Sequence, residues 1–314
     1  MLHNIKIKFV VTLANKLVAK MKRNQFLKSM AILPFAANTM KLSALNQLTN
    51  PIFDTEKMPV LFLGHGSPMN AIEENEFVSG FRNIGKTFQK PNAILCISAH
   101  WETNGTFVTA MNNPKTIHDF GGFPKALYDV EYPAPGSPDL ALETKNIIKT
   151  TDVGLDDNWG LDHGAWSVIK HLYPDANVPV IQMSIDYSKP PQYHYDLGKQ
   201  LSVLRNKGVL IVGSGNIVHN LGLVAWDKIN VDNYAHDWAS EAKTKLNQFI
   251  LEGNHQALID FRTLGRAVDL AIPSTEHYLP LLYSLALQDK NEQLTLFNDK
   301  ALGGSLSMTS VKIG

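Results

Sequence analysis

Four short runs in this chain carry apolar side chains at nearly every position: "MPVLFLG" from Met58, "NAILCISA" from Asn92, "VPVIQMSI" from Val178 and "GVLIVGSG" from Gly208. A strand with one solvated face alternates apolar and polar residues, whereas an unbroken aliphatic run bounded by Gly, Pro or Asn belongs to a strand buried on both faces. Both faces must then be covered. The segments "PDLALETKNIIKT", "HYDLGKQLSVLRN", "YAHDWASEAKTKLNQFILEG" and "TEHYLPLLYSLALQ" space their apolar residues at helical intervals and can supply that cover. The closing stretches "LTLFND" and "GGSLSMTSVKIG" alternate and read as a terminal hairpin or edge strands. The expected fold is a single α/β sandwich whose central sheet is largely parallel or mixed and is covered by helices.

Composition narrows the partners. The 29 Lys and Arg balance 29 Asp and Glu, so no net field favours nucleic acid or an anionic membrane, and a small molecule becomes the natural partner. The one cysteine, Cys96, excludes an internal disulfide and a multi-cysteine zinc site, so a metal here must be held by histidine and oxygen ligands.

Residues 1–57 differ from the rest and read as an N-terminal extension, with 58–314 as the catalytic domain. "KRNQFLKSMAILPFAANTM" joins basic residues to an apolar stretch that Pro34 interrupts and that is too short to span a bilayer. "RNQFLK" resembles a twin-arginine export signal, with Asn24 where the second arginine belongs. The alternatives are a degenerate export signal leading to the periplasm, or a disordered extension started upstream of Met21 on a cytoplasmic protein.

The histidines fall where ligands bind. His65 follows "PVLFLG", His100 follows "NAILCISA" and His219 lies a few residues beyond "GVLIVGSGN". These are carboxyl ends of strands, where open α/β sheets place their ligands. His277 is expected in the first turn of a helix, capped by Ser274 or Thr275 and tolerant of Pro280. Four segments can thus bring four imidazoles to one cleft, while Gly64 and Gly66 around His65 imply a turn or a close backbone approach. His3, His194, His236 and His255 sit in polar or helical settings and read as structural.

Two more segments read as substrate walls. "TIHDFGGFPKALYDVEYPAPGSP" gathers His118, Phe120, Phe123, Tyr128 and Tyr132 in a long irregular loop, suited to a flat ligand. "NWGLDHGAWSVIKHLYP" sets His163 at the start of an amphipathic helix with Asp162 as its cap, a position that favours the neutral imidazole and suits a general base. Three motifs are excluded. "VGSGNIV" has Val218 where a dinucleotide loop needs its third glycine, no "GxxxxGK[ST]" loop occurs, and "GHGSP" is not the "GxSxG" elbow that would make Ser67 a nucleophile.

Taken in order, "GHGSPMNAI", "ISAHWE", "TIHDFGGFP", "LDHGAW", "GSGNIVHNL" and "TEHYLPLLYSLA" resemble the class III extradiol ring-cleavage dioxygenases, in particular their 4,5-DOPA dioxygenase extradiol branch. The resemblance runs from Met58 to the end. It implies one divalent metal ion on His65, His100 and His277, with His219 as a further ligand or as a base beside the metal. It also implies His163 as acid or base on the substrate, and His118 as a pocket residue beside Phe120 and Phe123. The substrates would be a catechol such as L-DOPA and dioxygen, with no nucleic acid or membrane partner; the oligomeric state stays open.

Protocatechuate-cleaving relatives place a carboxylate third on the metal, in the two-histidine, one-carboxylate face of non-haem iron. Here His277 takes that place. That departure leaves the choice between iron and zinc open; Fe2+ is expected for dioxygenase activity because zinc has no redox change, and Zn2+ in the protein as purified because zinc outcompetes ferrous iron at nitrogen-rich sites. An imidazole with a reference pKa of about 6.5, His163 or His219, can take the second catechol proton at neutral pH. Two alternatives stand beside this reading: a zinc-dependent hydrolase of a small substrate, and a metal-binding protein without turnover.

Overall fold

The computed structural model describes residues 56–314, so apart from Glu56 and Lys57 the expectations for the N-terminal extension lie outside the described residues. Ten strands form in chain order: β1 Val60–Gly64, β2 Ala93–Thr103, β3 Thr106–Thr109, β4 Val153–Asp156, β5 Val180–Asp186, β6 Val209–Gly215, β7 Leu294–Phe297, β8 Ala301–Leu302, β9 Leu306–Ser307 and β10 Ser310–Ile313. Eight of them make one sheet in the order β4-β3-β5-β2-β6-β1-β10-β7, and β8 pairs with β9 apart from it. The four apolar runs are its centre, where β5, β2, β6 and β1 are parallel neighbours. Antiparallel pairing appears only toward the edges, at β3 with β5, β1 with β10 and β10 with β7.

Period-two alternation sends each central strand into two cores. In β1, Val60 and Phe62 join one cluster while Leu61 and Leu63 join the other. The helices Pro138–Ile147 (α1), Pro191–Gln200 (α2), Asp237–Leu251 (α3) and Leu279–Leu285 (α4) contribute Leu140, Leu197, Leu246 and Leu282 to the first core. The helices Glu76–Gly85 and His163–Leu172 press Phe81, Trp166 and Ile169 into the second.

Three features depart from the sequence reading. β3 and β4, "TFVT" and "VGLD", are too short and too polar to register as apolar runs, yet they extend the sheet. The C-terminal strands form no simple edge hairpin. β10 lies inside the sheet between β1 and β7, because the chain between them folds into the small β8–β9 pair and returns. Finally, α4 begins at Leu279, so His277 lies in the turn before the helix rather than in its first turn. Pro280 holds the second helical position, Ser274 bonds Glu276 instead of capping, and the Thr275 carbonyl accepts the amides of Tyr278 and Leu279. Among the described residues no helix is long and apolar enough to cross a membrane.

Candidate metal centre and substrate pocket

His65 sits one residue beyond β1, and its two glycines answer to sterics. A Cβ on Gly64 would lie 2.6 Å from the Met308 backbone, and Gly66 has φ +63° with the Met308 sulfur where its Cβ would be. Side chains at these positions would push the turn off Met308. The His65 amide then donates to the Gly215 carbonyl at 3.1 Å, and its Nδ1 faces Ser214 Oγ at 3.0 Å. Since the Ser214 hydroxyl spends its own proton on the Gly164 carbonyl, 2.5 Å away, it accepts from His65. The proton is on Nδ1, and Nε2 keeps its lone pair.

His100 lies within β2, not past its end, at the irregularity between Ile97 and Glu102 where pairing with β6 has stopped at Ser98. Its Nε2 is 3.2 Å from His65 Nε2. Two nitrogens bound to one ion at about 2.1 Å, at angles between octahedral and tetrahedral, stand about 3.0 to 3.4 Å apart. The third imidazole, His277, is carried against the end of β6. Its carbonyl accepts the Asn216 amide at 2.9 Å and would lie 2.1 Å from a Cβ on Gly215, so only glycine lets the turn approach so closely. Glu276 Oε1, which also accepts from Ser274, stands 3.2 Å from His277 Nδ1 and leaves the other nitrogen free. His65, His100 and His277 each present a ligand nitrogen, all within 4.8 Å of one another.

His219 takes a different place. Its ring lies flat on that of His277, centroids 3.5 Å apart and planes within 9°, and it groups with Glu276 and His277 rather than with His65 and His100. Imidazole lone pairs lie in the ring plane, so two rings stacked in this way aim within two parallel planes and not at one point between them.

His163 opens its helix with Asp162 as N-cap, whose carboxylate accepts the Ala165 amide. The helix can start there because Gly164 packs where a Cβ would meet Ser98 Oγ at 2.4 Å and His100 Cδ2 at 2.8 Å. The His163 ring stands 3.9 Å from that of His100, its Nδ1 2.9 Å from Asp119 Oδ2.

Electrostatics favour neutral donors. Burial first, then the neighbouring imidazoles, hold His65 and His100 well below the ordinary histidine range. Burial and His277 bring His219 down to about 3. Burial likewise lowers His277, although Glu276 opposes it. Burial pushes Glu276 up, but hydrogen bonds from His277, its own amide and Ser274 outweigh this and hold it at about 2. Neutral imidazoles beside ionised carboxylates are the protonation states that metal binding requires.

The expected pocket residues form one aromatic wall. Phe120 meets His163 edge-on at 5.6 Å, Phe123 meets Phe120 at 5.4 Å, and Tyr128 closes the group at 5.2 Å from Phe120. His118 stands behind Phe120, with Nε2 3.0 Å from the Val130 carbonyl and its ring against Trp166. The histidines read as structural within the described residues lie elsewhere: His194 faces Tyr283 Oη, His255 faces Tyr195 Oη, and His236 faces the Leu223 carbonyl. Sequence reasoning passed over Asp119, Glu276 and Ser214, which hold the Nδ1 sides of the site imidazoles. Asp119 and Glu276 gave one signal, each standing next to a histidine already singled out.

With this geometry in view, the relationships of the chain are informative. Residues 59–297 match the family described as the catalytic LigB subunit of aromatic ring-opening dioxygenase. The chain belongs to that family and is an aromatic ring-opening dioxygenase of the extradiol class. It is 46% identical over 270 residues, covering 84% of this chain and 97% of the relative, to the 4,5-DOPA dioxygenase extradiol of Escherichia coli K12. The protein of the same name from Beta vulgaris is 35% identical, covering 80% of this chain and 94% of its own length. The crystal structure of an uncharacterized protein from Escherichia coli K12 superimposes with a TM-score of 0.69 at 40% identity, covering 82% of this chain and all of that one.

Proposed function

We propose that this site opens a catechol ring outside its two hydroxyls with dioxygen, that L-DOPA is within its substrate range, and that one divalent ion sits among His65, His100 and His277. The observation that carries the reading is the approach of His65 Nε2 to His100 Nε2 at 3.2 Å, with His277 in the same group. The donor set fits such an ion, because every ligand imidazole is neutral, His65 and His277 are held at Nδ1 by Ser214 and Glu276, and His100 Nδ1 lies 3.4 Å from the Asp119 carboxylate. When bound, ferrous iron supplies the redox and Lewis-acid chemistry that lets dioxygen react with a catechol; zinc, having no redox change, does not.

The chain's own residues do the rest. Phe120, Phe123 and Tyr128 present an apolar wall to a flat ring and exclude water from one of its faces. His163, edge-on to Phe120 and held at Nδ1 by Asp119, presents Nε2 to the same space, where it takes a catechol hydroxyl proton and returns it as the ring opens. His219, stacked on His277, keeps that ligand from rotating.

The names of the relatives support L-DOPA as the first substrate to try. The test is anaerobic replacement of the purified metal by ferrous iron, followed by air and a panel of catechols. The proposal requires a yellow ring-opened product from L-DOPA or a simpler catechol, dependent on iron and absent with zinc. Iron-loaded protein that leaves the whole panel intact would overturn it.

A further inference from the structure

One carboxylate joins the aromatic loop to both sides of the site. Asp119 Oδ1 accepts the His163 backbone N–H at 2.8 Å, while Oδ2 stands 2.9 Å from His163 Nδ1 and 3.4 Å from His100 Nδ1. The loop that carries it is fixed on either side, by Trp166 Nε1 donating to the Ile117 carbonyl at 2.8 Å and by the Tyr132 amide donating to Thr116 Oγ1 at 2.9 Å. Among the described residues the ion pairs of Asp119 are with these two histidines, and no Lys or Arg competes for it. The nearby Asp162 is engaged elsewhere, accepting from Ser98, Gln182 and the Ala165 amide.

An ionised carboxylate only accepts hydrogen bonds, so an imidazole nitrogen facing it must carry a proton. His163 Nδ1 is hydrogen-bonded to Asp119 at 2.9 Å and His100 Nδ1 lies at ion-pair distance from the same oxygen, 3.4 Å, so that each Nε2 keeps its lone pair, that of His100 standing 3.2 Å from His65 Nε2. We propose that Asp119 is a positioning residue that sets the same tautomer in two imidazoles at once, His100 on the metal side and His163 on the substrate side. This rests on the roles assigned to those histidines under the proposed function. One side chain thereby makes metal binding and proton transfer depend on a shared constraint.

Asp119→Asn keeps the shape and removes the constraint. If the amide oxygen faces the imidazoles, its NH2 opposes the His163 backbone N–H. If the NH2 faces them, both Nδ1 atoms must become acceptors, and the protons move to Nε2 and block the lone pairs.

The experiment compares the wild-type chain, Asp119→Asn and His163→Ala by zinc competition against a chromophoric chelator and by 15N spectra of the metal-free imidazoles, with catechol kinetics on the ferrous forms. Zinc affinity should fall about 10- to 100-fold in Asp119→Asn, as is typical when the partner of a ligand histidine is lost, and stay within about threefold of wild type in His163→Ala. The Asp119→Asn spectrum should lose the Nδ1–H tautomer, and its kcat should fall while KM changes little. Unchanged zinc affinity with unchanged tautomers would overturn the proposal. If the variant does not fold, the wild-type spectrum decides: Nδ1 protonation on both His100 and His163 supports the assignment, and Nε2 protonation on either refutes it. Should even the wild type turn over no catechol, the zinc and tautomer readouts still decide the role of Asp119, and the failure falls on the ring-opening reading alone.

Discussion

The imidazole of His219 lies flat on that of His277, ring centroids 3.5 Å apart and planes within 9° of parallel. Two neutral rings in this arrangement support one another by contact, and the one that also faces His65 and His100 is His277. His219→Ala should therefore weaken divalent-metal affinity by about tenfold, the low end of losses at groups that orient a ligand. His277→Ala should abolish it. Metal titration of the two variants side by side checks this, and equal losses would place both rings on the ion.

His163 has its ring 3.9 Å from that of His100 and should separate chemistry from metal binding. His163→Ala is expected to hold one metal ion per chain while losing activity by about 100-fold or more, the usual contribution of a positioned acid or base. Metal content by mass spectrometry, with kcat on the ferrous form, measures both properties in one preparation. Wild-type turnover would move the proton transfer to another group.

Gly164 gives a steric test of the same neighbourhood. A methyl group there would meet Ser98 Oγ at 2.4 Å and His100 Cδ2 at 2.8 Å, so His100 must move. Gly164→Ala should lose metal affinity by more than its melting temperature suggests, because the clash falls on a ligand. A metal titration identical to wild type would show that the His163 helix shifts in its place.

Arg205 ties the segment before β1 to the chain beyond α4. Its guanidinium is 1% exposed and donates to the Met58 and Leu287 carbonyls and to both oxygens of Glu292. Burial pushes the Glu292 carboxyl up, but Arg205, the Asp289 amide and Lys57 together hold it at about 2. A carboxyl whose pKa is depressed in the folded state stabilises fully above its unfolded value, about 4.5, and loses that contribution as pH falls toward about 2. Glu292→Gln leaves a buried cation without its counter-charge and should cost about 3 kcal/mol at pH 7. Urea melts of both proteins should show that gap narrowing below about pH 4, and a gap independent of pH would contradict the ion pair's role.

The legibility of this chain follows from the range of its interactions. The central parallel strands could be read because burial on both faces requires unbroken apolar runs, and the strand-end positions of His65 and His219 followed from them. β3 and β4 could not be read, since four-residue strands such as "TFVT" carry too little pattern and depend on pairing, β3 with β5 and β4 with β3. For the same reason β10 looked like an edge strand: its place beside β1 depends on the excursion of residues 298–309 and on no local signal. At the site, histidines announce themselves by type, whereas Asp119, Glu276 and Ser214 matter through contacts to residues 44, 1 and 149 positions away. Only tertiary structure shows that each of them faces an Nδ1.

If these imidazoles build a ring-opening dioxygenase site, both atoms of one dioxygen enter the product, and isotope incorporation measures that. Ferrous-loaded protein should be given L-DOPA under 18O2 and the product analysed by mass spectrometry before its oxygens exchange with water. Both labelled atoms should appear in one ring-opened molecule, with no product from the zinc form. Incorporation of a single labelled atom, or an unlabelled hydrolysis product formed with zinc, would contradict the dioxygenase assignment.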